Sequence, residues 1–178
     1  MANRQMILPS LPLVEVNRMR PGHILVADHV GVYIIKMKGD VRLTLCISFD
    51  KFINAMLAEP NFSSVLFDLS EAEAVDSTTL GLMAKISLLA QEKRGITPLI
   101  LATNASIQRI LQTMGFADIF TIVDKLEVKF IPEKNLTAIE CDENQIKEKV
   151  IEAHKILMGL NESNHETFRN LVAMLEKP

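Results

Sequence analysis

The stretch SVLFDLSEAEAVDSTTLGLMAKISLLAQEKRG, from Ser64 to Gly95, determines the predicted fold. It opens with a short apolar run that is typical of a buried parallel strand, and this strand is predicted to end at Asp68. After a short connector, Asp76–Thr79 consists of residues that cap helix N-termini, so a helix is predicted from there to Gly95. Its apolar face is too wide for a surface helix, which favours packing across a sheet.

Strands and helices alternate along the rest of the chain. Such alternation predicts an α/β fold, a parallel or mixed β-sheet with α-helices packed against it. The predicted strands are a hairpin of His23–Asp28 and Val32–Met37, a brief extension at Val41–Leu45, and the segments Pro98–Ala102 and Phe120–Val123. The predicted helices are one that follows Ser48 and ends before Pro60, and one that is capped by Asn104 and ends at Gly115.

The two ends of the chain differ from this core, which is predicted to span residues 21–124. Prolines interrupt residues 1–20, so an extended arm is expected there. Residues 125–141 are interpreted as a linker that contains an edge strand, Leu126–Ile131. Residues 142–178 predict a C-terminal helical hairpin whose second helix starts at a capping box, Ser163–Glu166. Its apolar stripe is expected to pack on its own domain, the alternatives being a second copy in a homodimer or a partner protein.

Composition narrows the class of protein. The net charge is −3, from 19 basic and 22 acidic residues, so direct nucleic-acid binding is not expected. Cys46 and Cys141 do not form a disulfide framework and are interpreted as reduced thiols of a cytoplasmic protein. No apolar run is long enough for a signal sequence or a membrane span, so membrane insertion is not expected.

The sequence contains no motif typical of an enzyme. The four histidines are scattered and lack metal-ligand spacing, and neither a Walker loop nor a dinucleotide fingerprint occurs. Ser77 is not in a nucleophile elbow. His154 is a conceivable phosphoacceptor, but it is interpreted as a surface histidine among charged residues. We therefore expect no catalytic residues, no metal and no cofactor.

Ser77 is the candidate functional residue. It lies where the predicted helix begins, and the positive end of a helix dipole favours a phosphate or another anion. The alternative is that Ser77 only caps the helix. Asp68 and Asp76 flank it in sequence, each with either a structural role or a functional role at the candidate site.

The segment DSTTLG, from Asp76 to Gly81, resembles the Asp-Ser-[Ser/Thr]-Gly-Leu-Gly segment of STAS domains, the anti-sigma factor antagonist family. The resemblance continues from the region of Gly39 to Val123 and includes the Met114–Phe116 turn. Thr79 stands where the family usually has glycine. The resemblance implies a STAS (SpoIIAA-like) fold in which Ser77, or alternatively Thr78, is phosphorylated, and in which Asp68, Asp76, Thr78, Thr79 and Gly81 surround the phosphosite.

The resemblance also implies protein partners. A serine kinase and a PP2C-type phosphatase are expected to act on the site, and an anti-sigma factor or another signalling target is expected to bind in one phosphorylation state. The family acts in signal transduction and transcription regulation, including stress response, sporulation, motility and biofilm formation. The alternatives are a non-catalytic STAS subunit of a transporter or other complex that is not phosphorylated, and an anion-binding domain.

Overall fold

The computed structural model describes residues 20–127, 131 and 134–177. Apart from its last residue, the predicted arm at residues 1–20 lies outside the described residues, as do residues 128–130 of the predicted edge strand. Leu126 and Glu127, which would have opened that strand, are not in a strand.

Six strands form one mixed sheet, in the order β5-β4-β3-β2-β1-β6. β1 runs antiparallel to both of its neighbours, and the other pairs of adjacent strands are parallel. The strands are β1 His23–His29, β2 Val32–Val41, β3 Ser64–Val75, β4 Leu99–Leu101, β5 Thr121–Val123 and β6 Lys134–Leu136. The predicted mixed sheet is confirmed, and β6 adds a paired strand within the segment that the sequence suggested as a linker.

Helices connect the parallel strands and bury their apolar residues against one face of the sheet. They are α1 Cys46–Ala58, α2 Ser77–Arg94 and α3 Ala105–Thr113, and the C-terminal pair is α4 Glu143–Met158 and α5 Glu162–Leu175. Phe49 of α1, Phe67 of β3, Met83 of α2 and Leu111 of α3 are fully buried or nearly so in the same apolar cluster. A smaller cluster, which includes Ile34 and Leu66, lies on the opposite face of the sheet.

The prediction that the β3 strand ends at Asp68 was wrong, because the strand continues to Val75. Glu71 and Glu73 give this continuation the appearance of a polar connector. In the fold each glutamate forms an ion pair, Glu71 with two lysines of β2 and Glu73 with Arg20. The pairing of β2 with β3 therefore extends through two shifts of register, and Val75 still reaches the core.

Two other predicted boundaries also differ. The chain does not extend the sheet as far as Leu45. Instead, Leu43–Leu45 forms a 3₁₀ turn that leads into α1, and Leu45 is buried in the core. The second hairpin helix is capped by Asn161 rather than Ser163, since the Asn161 side chain accepts a hydrogen bond from the Asn164 backbone N–H at 2.8 Å. The capping box is found instead at the start of α4, between Asp142 and Gln145.

The C-terminal hairpin packs on its own domain, so α2 lies between the sheet and α4. Leu157 and Phe168 belong to the main apolar cluster. Asn164, which is 3% exposed, donates hydrogen bonds to the carbonyl groups of Met114 and Leu157, at 2.9 Å each, and so ties the turn of the hairpin to the end of α3. The wide apolar surface of α2 is explained by burial on two sides.

We expect Leu157→Ala to lower the free energy of unfolding by about 2 to 5 kcal/mol, because the Leu157 side chain is fully buried. The matched control is Leu171→Ala on the more exposed side of α5, which should change it by less than about 0.5 kcal/mol. Urea denaturation measures both values. A small effect for both variants would contradict a hairpin that is part of the core.

Candidate functional site

The start of α2 is fixed by Asp76, which follows the last residue of β3. The Asp76 carboxylate accepts a hydrogen bond from the Thr79 backbone N–H at 2.8 Å, and its own N–H donates to the Val41 carbonyl at 3.1 Å. The predicted cap is confirmed. Ser77 is therefore the first residue of α2, at the positive end of the helix dipole.

Three consecutive hydroxyl groups follow Asp76, and burial distinguishes them. Thr78 is 5% exposed and Thr79 is 2% exposed, whereas Ser77 is only half-buried. Thr79 occupies an ordinary helical position and has no positive φ, so the threonine that replaces the family's glycine introduces no backbone strain. Of these three residues, Ser77 is the most accessible.

The Ser77 hydroxyl group contacts a buried histidine of the C-terminal hairpin. Ser77 Oγ lies 2.8 Å from His154 Nε2, and His154 Nδ1 lies 2.7 Å from the Val150 carbonyl oxygen. Because a carbonyl oxygen can only accept, Nδ1 carries a proton, and in the neutral ring Nε2 accepts the proton of Ser77. The ring also packs edge-on against Phe168, with centroids 4.9 Å apart.

The interpretation of His154 as a surface residue was wrong, because its side chain is only 2% exposed. Its charged neighbours in sequence, Glu152 and Lys155, suggested exposure. A signal was nevertheless present, since His154 follows Val150 by four positions and precedes Leu157 by three, which places it on the apolar stripe of α4.

One helical turn beyond Ser77, the backbones of α2 and α4 come into close contact. A Cβ atom at Gly81 would lie 2.3 Å from the Ala153 carbonyl oxygen, so a side chain there requires the helices to separate. Ser77 and Gly81 are four residues apart and share a face of α2. The covering helix thus lies directly against the face that carries the candidate site.

Four charged side chains form a closed ring beside this contact. Lys85 of α2 and Lys149 of α4 each bind Asp50 of α1 and Glu152 of α4, at nitrogen–oxygen distances of 2.6 to 2.8 Å. Burial raises the pKa of both carboxyl groups, but the hydrogen bonds from the two lysines outweigh it. The pKa of Asp50 therefore lies below its ordinary 3.8, and that of Glu152 below 4.5.

The structure does not place Asp68 near Ser77. The seven-residue remainder of β3 separates Asp68 from Asp76, a path of roughly 25 Å along an extended strand. Asp68 also points to the opposite face of the sheet, where it forms an ion pair with Lys36 at 3.1 Å and accepts hydrogen bonds from Ser70. Of the two aspartates, Asp76 alone adjoins the candidate site.

The family model of the STAS domain matches residues 23–128, which is more than half of the chain. The chain therefore belongs to the STAS domain family. The match includes β1–β5 and α1–α3 and stops before the C-terminal hairpin. Gly81, Asp76 and Ser77 lie inside the matched residues, and His154 lies outside them.

A similar solved structure is that of an anti-sigma factor antagonist from Mycobacterium paratuberculosis. It aligns with a TM-score of 0.50 and 22% sequence identity, over 60% of this chain and 89% of that one. At this identity the likeness supports the fold alone. No curated protein matches the sequence. Among the described residues, none of the helices combines the length and hydropathy that a membrane span requires.

We expect acid to weaken the attachment of α4 through the ring of four charges. A carboxyl group whose pKa is lowered by folding stabilises the fold above its unfolded pKa, and this contribution is lost as pH falls through the folded value. Stability should therefore decline below the ordinary values of 3.8 and 4.5. Urea unfolding as a function of pH measures this decline.

Asp50→Asn tests the origin of the decline, since asparagine cannot lose a proton. This variant should be less stable at neutral pH and should show a shallower loss in acid than the native protein. Asp118→Asn, at an exposed position, is the control and should keep the native pH profile. An Asp50→Asn profile parallel to the native one would contradict the assignment.

Proposed function

We propose that this protein is a phosphorylation-controlled partner-switching regulator of the anti-sigma factor antagonist type, with Ser77 as the phosphoacceptor. The observation that carries the proposal is the difference in burial among three adjacent residues that carry hydroxyl groups. Ser77 is half-buried at the first position of α2, while Thr78 and Thr79 are buried. A kinase would therefore reach Ser77 in preference to the alternative acceptor, Thr78.

The electrostatics of the helix start suit such a modification. The positive end of the α2 dipole stabilises an added phosphate, while the neighbouring Asp76 carboxylate repels it. Phosphorylation adds about −1.5 to −2 charges to a surface that is otherwise recognised through a neutral hydroxyl group. A partner that buries this surface must then desolvate the added charge.

The energy of this mismatch is sufficient for a switch. Mismatching a buried charged contact at an interface costs on the order of 2 to 5 kcal/mol. A difference of about 4 kcal/mol takes a nanomolar complex to the micromolar range. No change of fold in the STAS domain is required. The partners in this proposal are a serine kinase, a PP2C-type phosphatase and a target that is an anti-sigma factor or another signalling protein.

Phosphorylation of the native protein should add one phosphate group, on the peptide that contains Ser77. Ser77→Ala should abolish the modification, and Thr78→Ala, the control at the adjacent hydroxyl group, should retain it. Mass spectrometry of the protein purified from its own host measures both. Loss of the phosphate in Thr78→Ala but not in Ser77→Ala would move the site to Thr78, and retention in both variants would exclude both residues.

Ser77→Asp should change the set of proteins that bind, because it places a negative charge where the partner meets a hydroxyl group. Ser77→Asn is the matched control of similar size without the charge. Quantitative pulldown from host lysate should show a partner at least tenfold enriched on one of these two baits. Equal recovery of the same partner on both baits would instead favour the alternative, a STAS subunit of a transporter or other complex that is not regulated by phosphorylation.

A further inference from the structure

We infer that phosphorylation of Ser77 and docking of the C-terminal hairpin on α2 oppose each other, so that the hairpin is a cover that the phosphate releases. This inference rests on the proposed function, because it describes the regulation of the same site. It depends on three features of the structure. They are the Ser77–His154 hydrogen bond, the close approach of the Gly81 and Ala153 backbones, and the burial of the His154 ring.

With a neutral His154 ring, the hydrogen bond between Ser77 and His154 uses the proton of the Ser77 hydroxyl group. In the neutral ring His154 already donates through Nδ1 to the Val150 carbonyl, so Nε2 needs a donor, and Ser77 Oγ provides it at 2.8 Å. When a kinase transfers the terminal phosphoryl group of a nucleoside triphosphate, the phosphoanhydride bond and the Oγ–H bond break, an Oγ–P bond forms, and the nucleoside diphosphate and the proton leave. The phosphoester oxygen then has no proton to donate, and a nitrogen that is buried with its ring loses its partner.

The surroundings leave little space for the added group. His154 Nε2 occupies the direction of the hydroxyl proton, and the ring is held between the Val150 carbonyl and Phe168. One turn along α2, the backbones of Gly81 and Ala153 are so close that even a methyl group does not fit. Asp76, immediately before Ser77, adds a negative charge that opposes a phosphate turned toward it.

The converse effect follows from thermodynamic linkage. If phosphate lowers the affinity of the hairpin for α2, docking of the hairpin lowers the tendency of Ser77 to accept phosphate by the same factor. The docked hairpin also engages the hydroxyl group that a kinase must deprotonate. The hairpin therefore makes the unphosphorylated state the default, and its release exposes the face of α2 that includes Gly81.

The test uses the full chain with phosphoserine incorporated at position 77 during synthesis, so that no kinase is needed. Amide hydrogen exchange is followed by mass spectrometry in the α4 and α5 peptides. We expect exchange there to accelerate by about five- to a hundredfold, the range that corresponds to loss of a buried hydrogen bond. Phosphoserine at Ser106, exposed in the first turn of α3, is the matched control and should leave the hairpin unchanged.

Two variants connect the effect to the proposed contact. Ser77→Ala removes the donated proton without adding charge or bulk, and should accelerate exchange in the same peptides to a smaller extent. In a His154→Ala background, phosphoserine at position 77 should change exchange by less than about twofold, since the contact is already lost. The Ser77→Ala measurement stands if His154→Ala fails to fold.

Unchanged or slower exchange in the phosphoserine protein would overturn the inference, because it would mean that the phosphate is accommodated beside His154 with the hairpin in place. That result leaves the phosphosite itself untouched. Conversely, absence of phosphate on Ser77 in the native host would refute the proposed function and would leave the exchange measurement unaffected.

Discussion

Gly81 allows α2 and α4 to approach until their backbones touch, and much of the molecule follows from this contact. A glycine in the interior of a helix costs about 0.5–1 kcal/mol relative to alanine, so its presence there needs a compensating gain. The compensating gain is the close packing of α4 against α2, which brings His154 into contact with Ser77 and Lys149 into contact with Asp50. Through this contact an ordinary STAS domain acquires a third layer that lies directly over its candidate site.

The layer over α2 is held by three kinds of interaction. Leu157 and Phe168 bury apolar surface, Asn164 hydrogen-bonds to the end of α3, and the ring of four charges links α1, α2 and α4. Apolar burial is indifferent to pH, whereas the charged ring depends on its carboxylates. The Ser77–His154 hydrogen bond is a fourth contact, and it is the one that involves the candidate site. The attachment of the hairpin therefore depends on pH through the charged ring and on the Ser77 hydroxyl group through its hydrogen bond to His154.

The sequence predicted most of the fold because the signals involved are local. Asp76 and Asn104 cap helices, Gly95 and Gly115 end them, and short apolar runs form the strands, so the order of elements from β1 to β5 is confirmed. The end of β3 was predicted wrongly because long-range ion pairs support it. The polar residues Glu71 and Glu73 continue β3 only because lysines of β2 and Arg20 neutralise them across the sheet.

The candidate site was predicted in part, for the same reason. Ser77 belongs to a local motif, but His154 lies 77 residues further along the chain, and no local pattern links the two. Asp68 was expected nearby because it is close in sequence, yet the extended strand carries it to the other face of the sheet. The location of the hydroxyl group was thus predictable from the sequence, and its partner was not.

Among the described residues, the outer strands of the sheet, β5 and β6, are three residues long each. Such short edge strands present few unpaired amide and carbonyl groups to another chain, which is a common protection against edge-to-edge aggregation. Growth of the sheet by addition of strands from neighbouring molecules is correspondingly disfavoured. In the proposed exchange of one binding partner for another, the domain benefits from a sheet that offers little template for self-assembly.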